Sequence, residues 1–253
     1  MTLIVTFAAM GAAMGSFLNL CVDRLPRGES LLRPASRCDA CGVRLRWFHM
    51  VPVASYLALR GRCAACHARI PPRALAMEAS CAGLLGYLGY TRGVDAASLA
   101  IALYILVFVL IAFIDLEHGV IPNKVVYPAA VAALGLSVLL PDVGLLRAAI
   151  GGAAGFAAML VVYVAARGGM GGGDVKLAGL VGLCVGAPLL APALLIAVIS
   201  GGAFALLLLA LGRRGRRDTI PFGPFLVAGA LAALLWGPAL LDGWQSAFRG
   251  LNS

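Results

Sequence analysis

The sequence predicts an all-α polytopic membrane protein of about eight transmembrane helices, with a cytoplasmic tetra-cysteine zinc-binding loop between the first two. Three observations carry that prediction. Of 253 residues, 62% are hydrophobic and only 12% charged, where an ordinary soluble domain carries about a quarter charged residues. Apolar runs near the length that crosses a bilayer as a helix, about 20 residues, recur along the chain. The basic residues also segregate, with ten arginines between Asp23 and Arg73.

Spans are expected at 1–22, 74–92, 96–114, 124–140, 144–166, 175–187, 192–211 and 222–241. No basic residue precedes Arg24, so the first run lacks the charged n-region of a secretory signal and reads as a permanent helix. The two shortest spans are separated only by Pro188 to Ala191, where paired Ala-Pro steps favour a tight turn over one overlong helix. A seven-span count is the alternative. With eight, 17 of the 20 basic residues fall on one side, among them Lys124, Arg167, Lys176 and the cluster Arg213, Arg214, Arg216 and Arg217. Arg92, Arg147 and Arg249 fall opposite. The positive-inside bias makes the rich side cytoplasmic, which accounts for the arginines without nucleic acid. Small-residue clusters at 151–155 and 200–202 read as close helix packing, and Trp236 and Trp244 as interfacial anchors.

The loop at 23–73 holds Cys38-Asp-Ala-Cys41 and Cys63-Ala-Ala-Cys66, separated by 21 residues. Two such hairpins offer four thiolates to one tetrahedral ion, and zinc is the usual occupant. A closed four-sulfur site is structural, and a loop this small and arginine-rich has too little core to order itself unaided. A redox dithiol pair is the weaker reading. His49 and His67 are available as competing ligands but are not needed. Cys21, Cys81 and Cys184 stand alone in apolar runs and read as small hydrophobes.

Three acidic residues, Glu78, Asp115 and Asp174, fall within or at the ends of spans, where ionisable groups are functional candidates. Asp174 follows five glycines within six positions, 168–173. Such a run is a poor helix interior and lets backbone approach a substrate or another helix closely. Irregular backbone at membrane depth needs protein or a water-filled cavity around it. Two aspartates in one cavity share a single proton, so that one takes a proton from water while the other donates to a carbonyl. From residues and spacing alone, a catalytic pair, ordinary helix-end capping and an ion pathway all stay open. Glu78 reads either as an arginine partner or as a residue that positions the loop or substrate, Lys176 as a basic helix-end anchor, and His118 as solvated or as a partner of Asp115. A carboxylate-coupled transporter, the rival class, should show matching helix breaks in two halves, and the glycine-rich break has no counterpart near Asp115.

Taken in order, Gly15-Ser16-Phe17-Leu18-Asn19, Arg24-Leu25-Pro26-Arg27-Gly28-Glu29-Ser30, the paired Cys-x-x-Cys hairpins, Asp115 with Ile121-Pro122, Gly171-Gly172-Gly173-Asp174-Val175-Lys176-Leu177 and Ile220-Pro221-Phe222-Gly223-Pro224 resemble the type IV prepilin peptidases. These are membrane aspartyl proteases named for a Gly-x-Gly-Asp motif. The resemblance implies Asp115 and Asp174 as catalytic residues, with Gly171, Gly172, Gly173 and Lys176 as the active-site loop. It implies cleavage of a prepilin or pseudopilin helix after its leader glycine, at the cytoplasmic boundary of the bacterial inner membrane. Methylation of the new N-terminus by S-adenosylmethionine commonly follows in members that carry the cysteine loop, and Gly28 and Glu29 are the first residues to test for the donor. The chain then divides into the helix 1–22, the loop 23–73 and a peptidase domain 74–253. Glu29, Asp39 and Glu117 are the acids available to a basic leader. The chain departs from the family pattern at His49-Met50, where a polar residue and isoleucine are expected, and at His67, which replaces a glycine. Pro71-Pro72 is a third local feature, placed to alter how the loop meets the membrane.

Overall fold

A computed structural model describes residues 1–31, 36–38, 40–44, 46–166, 170–212 and 220–251. Arg33, Asp39, Arg167, Gly168, Gly169 and the arginines at 213–217 lie outside the described residues. Helices dominate, and among the described residues the only extended pairings are two isolated antiparallel bridges, Arg37 with Arg44 and Arg62 with Arg69. The chain forms two compact units, Met1–Phe113 and Ile114–Ser253.

The first unit is built on α1 (Thr2–Arg27) and α3 (Pro72–Thr91). Glycines let them touch: a Cβ on Gly11 would strike the Cys81 carbonyl, and one on Gly15 would lie 2.8 Å from the Glu78 Cα. Gly11 and Gly15 are four apart on one helix face, the small-xxx-small spacing that brings helix backbones together in lipid. At the charged ends Arg73 pairs with Asp23 at 2.7 Å and donates to Asn19 Oδ1 at 3.0 Å. α1 therefore runs past the expected boundary at residue 22 and stops at Arg27, where Gly28 takes the left-handed cap (φ 70°) that a side chain disfavours. Between the helices lie a 3-10 turn (Trp47–Met50) and the short α2 (Ala54–Ala58). α4 (Ala96–His118) begins where the Asp95 carboxylate accepts the Ser98 amide at 2.6 Å, an N-terminal cap.

The second unit contains α5 (Asn123–Leu136), α6 (Gly144–Ala165), α7 (Gly172–Ala210) and α8 (Gly223–Leu251). α7 is two helical limbs joined at Gly186, whose φ 75° and ψ 167° only glycine adopts readily. A Cβ on Gly155 of α6 would meet both the Ala178 carbonyl and Leu190 Cδ1. Those residues would be about 18 Å apart in one straight helix, so the chain doubles back. The turn expected at Pro188 to Ala191 is thus corrected to Gly186. Pro188 is helical, sitting in the first turn of the second limb where its missing N–H is not needed.

Among the described residues, five helices are long and apolar enough to cross a membrane: α1, α4, α6, α7 and the Gly223–Ser246 part of α8. The eight expected apolar segments all appear as helix, yet fewer pass that test for three physical reasons. α3 carries Arg73 and Glu78 among its glycines, α5 has only 14 residues, and two expected spans are the limbs of α7. Of the two small-residue clusters, Gly151 and Gly155 do press on α7, and Gly201 faces Phe222 and Phe225, while a Cβ on Gly202 would meet nothing. α8 kinks at Trp236, just before Pro238.

Candidate functional site

Asp115 and Asp174 are buried, at 5% and 8% exposure, and both belong to the second unit. Asp115 occupies the last turn of α4 and Asp174 the first turn of α7. One carboxylate is held by a glycine amide: Gly223, the first residue of α8, donates to Asp115 Oδ2 at 3.0 Å. Asp174 lies beside Gly171, whose carbonyl accepts the Asp174 amide at 3.2 Å. The aspartates are near enough for their charges to act on one another. Helix N-termini supply unpaired amides and a favourable dipole for anions, so two helix starts here stabilise two carboxylates that burial would otherwise disfavour.

Of the expected active-site loop, Gly171 is extended (φ −79°, ψ 137°) and Gly172 and Gly173 are already the first turn of α7. None of the three takes a left-handed backbone. Their need for glycine differs. A Cβ on Gly173 would press Ile121 at 3.0 Å, one on Gly171 would sit 3.6 Å from Asp174 Oδ2, and one on Gly172 would meet nothing. Ile121 is thus the wall behind Gly173. Lys176 donates to Asn123 Oδ1 at 2.8 Å with Tyr127 beneath it, joining α7 to α5 rather than serving as a bare basic anchor. His118 is half-buried, and Glu117 and Glu29 are exposed.

Gly223 is the site residue that sequence reasoning missed. It was legible only as part of a pattern, because a backbone donor leaves no mark in its own side chain. A Cβ there would lie 2.5 Å from Asp115 Oδ2, so glycine is the residue that lets the amide reach the carboxylate.

In the first unit, the sulfurs of Cys38, Cys41, Cys63 and Cys66 all lie within 4.8 Å of one another. Sulfurs around one tetrahedral zinc at about 2.3 Å would be about 3.8 Å apart, and Cys38 and Cys66 stand at 3.8 Å. The donor set fits a single closed ion. Both hairpins have the same build: the Cys38 amide donates to Val43 and the Cys63 amide to Ala68, while Gly42 and His67 turn back to the carbonyls of Cys38 and Cys63. Amides of Cys66 and Ala65 directed at the Cys63 sulfur pull that thiol down to about 6. Glu78, 9% exposed, accepts the Val53 amide at 2.7 Å, which favours loop positioning for this residue. Gly28 and Glu29 lie on an exposed surface, and a Cβ on Gly28 would meet nothing. Gly28 is also the left-handed cap of α1.

Residues 9–91 match the bacterial peptidase A24 N-terminal domain, and residues 102–206 match the type IV leader peptidase family. Among curated proteins, the chain is 32% identical over 260 residues to a prepilin leader peptidase/N-methyltransferase of Pseudomonas putida, covering 90% of this chain and 88% of that one. It is 34% identical to one of Burkholderia pseudomallei (strain 1026b), covering 90% and 84%, and 29% identical to one of Bacillus subtilis (strain 168), covering 92% and 94%. No solved structure matches. The two family models tile most of the chain in the order their motifs predict, and it belongs to the type IV leader peptidase family.

Proposed function

We propose that the protein is a prepilin or pseudopilin leader peptidase working through Asp115 and Asp174. The observation that supports this most is the pair itself: two buried aspartates on separate helix ends, Asp115 accepting the Gly223 amide, and the two within reach of one another's charge. With one proton between them, the ionised carboxylate takes a proton from water as the oxygen attacks the scissile carbonyl, while the protonated one donates to the developing oxyanion. Collapse of the tetrahedral intermediate then breaks the C–N bond and returns a proton to the leaving amine. The Gly223 amide keeps the Asp115 carboxylate aimed without a metal in the reaction.

The substrate helix lies among the spans with its basic leader on the cytoplasmic side of the bacterial inner membrane, and it is cut after the leader glycine. Glu29 and Glu117 offer exposed negative charge to that leader. Zinc on Cys38, Cys41, Cys63 and Cys66 gives the loop its fold and takes no part in the peptide chemistry. N-methylation of the product with S-adenosylmethionine rests on the names of the relatives, and Gly28 and Glu29 are the first residues to test for the donor. The chain divides functionally into the first helix, the zinc loop at 23–73 and the peptidase helices at 74–253. The test is to incubate the detergent-purified protein with a synthetic prepilin, with and without S-adenosylmethionine, and weigh the products. Leader loss plus one methyl with the donor present is expected. Cleavage without methylation would reduce the reading to a peptidase with a structural zinc loop, and an uncut prepilin would remove it.

A further inference from the structure

The stretch between the two cysteine hairpins does not read as an aqueous loop. Phe48, Met50, Val51 and Leu57 are exposed, Leu57 at 61%, with Arg46 and Arg60, also exposed, on either side. Large apolar groups gathered in this way are costly in water and mark a contact surface. The segment is tied to α3 through Glu78, five residues and about 7.5 Å of helix beyond Arg73. Its carboxylate accepts the Val53 amide at 2.7 Å near the charged ends of α1 and α3 that the Arg73–Asp23 pair closes.

Backbone at a membrane boundary is favoured when its polar groups are satisfied internally, and from Val53 onward this segment carries such bonds. The amides of Ser55, Leu57 and Leu59 donate to the carbonyls of Val51, Val53 and Ser55 at 2.9 to 3.1 Å. Arg60 and Gly61 donate to Leu57 and Tyr56, Pro52 has no amide to satisfy, and the Val53 amide is taken by Glu78. A short apolar element bounded by arginines matches the headgroup and acyl boundary of an anionic leaflet, where apolar side chains sink about 5–10 Å and nearby arginines are drawn to the lipid charge.

We infer that residues 47–58 form an interfacial element seated in the anionic lipid leaflet at the charged ends of α1 and α3, so that the zinc-binding hairpins are carried against the membrane rather than free of it. The inference rests on Glu78, Val53 and the exposed apolar side chains, and it stands whether or not Asp115 and Asp174 are catalytic.

The test uses the full chain in vesicles of phosphatidylethanolamine and phosphatidylglycerol, with Trp47, Trp236 and Trp244 replaced by Phe and one reporter introduced as Phe48→Trp or Leu57→Trp. Both positions exchange one exposed apolar group for another, and either reporter suffices. Emission is expected to shift to the blue, to be lost when lipids brominated near the headgroup end of their acyl chains are included, and to resist aqueous acrylamide. Quenching by acrylamide with no effect of brominated lipid would overturn the inference by placing the segment in water. Protection from both quenchers would overturn it too, by placing the segment against protein.

Discussion

The amide of Gly223 reaches Asp115 Oδ2 at 3.0 Å across 108 residues of sequence, so the start of α8 anchors the carboxylate at the end of α4. The contact leaves no space for a side chain on Gly223, since a Cβ would meet the same oxygen at 2.5 Å. Misplacing a catalytic group by about 1 Å can cost roughly 100-fold in rate. Gly223→Ala should therefore lower kcat for leader cleavage by about that factor with little change in KM. An unchanged kcat in steady-state cleavage assays would show that the contact does not hold the carboxylate in place.

The glycines before Asp174 should separate by available space rather than act as one flexible run. Gly172→Ala and Gly171→Ala meet open space and an ordinary 3.6 Å contact, and should keep nearly full cleavage. Gly173→Ala presses Ile121 at 3.0 Å and should lower both activity and melting temperature, an overpacking cost of about 1–3 kcal/mol. Cleavage rates and thermal unfolding of the three variants decide this, and equal damage at all three would point to flexibility instead.

Elemental analysis should find one zinc per chain, lost in Cys38→Ser or Cys66→Ser. The hairpins should depend on that ion for their fold, because the apparent binding energy of a structural zinc is of order 10 kcal/mol. Chelation should expose residues 36–70 to protease while leaving the helical circular dichroism nearly unchanged. A loop that stays resistant after chelation would mean that the hairpins fold without metal.

His67 occupies in the second hairpin the place that Gly42 holds in the first, with φ values of 58° and 69°. A side chain pays about 1 kcal/mol or more for that left-handed backbone. His67→Gly should tighten zinc retention against a competing chelator by up to about five-fold, the equivalent of about 1 kcal/mol. Weaker retention would instead assign His67 a contact of its own at the metal site.

Glu78→Ala leaves the Val53 amide without its acceptor, at a cost of about 1–3 kcal/mol for a buried donor. Glu78→Gln keeps an oxygen there and should lose much less. Proteolysis within 46–62 and melting temperature are the readouts, and identical behaviour of the two variants would deny the hydrogen bond its role.

The features legible in the sequence were those carried by side chains with few alternative uses. Asp115 and Asp174 stood out because carboxylates in apolar runs are costly, and the four cysteines because their spacing fits one ion. The expected helices follow from apolar run length, which is why all of them appear as helix. Features that depend on the backbone were not legible. Gly223 acts through its amide, the Val53 amide finds Glu78 25 residues away, and the turn at Gly186 sits just ahead of the more conspicuous Pro188 and Pro192. Crossing counts were similarly obscured, because α3 and α5 owe their places to packing and loop contacts as much as to apolarity.

The most direct test of the account is prepilin cleavage by Asp115→Asn and Asp174→Asn beside the unaltered protein, each first shown to keep its melting temperature and its zinc. Both variants should lose leader cleavage by about 100-fold or more, the usual scale of a general acid or base. Cleavage at an undiminished rate by either folded variant would contradict the two-aspartate mechanism.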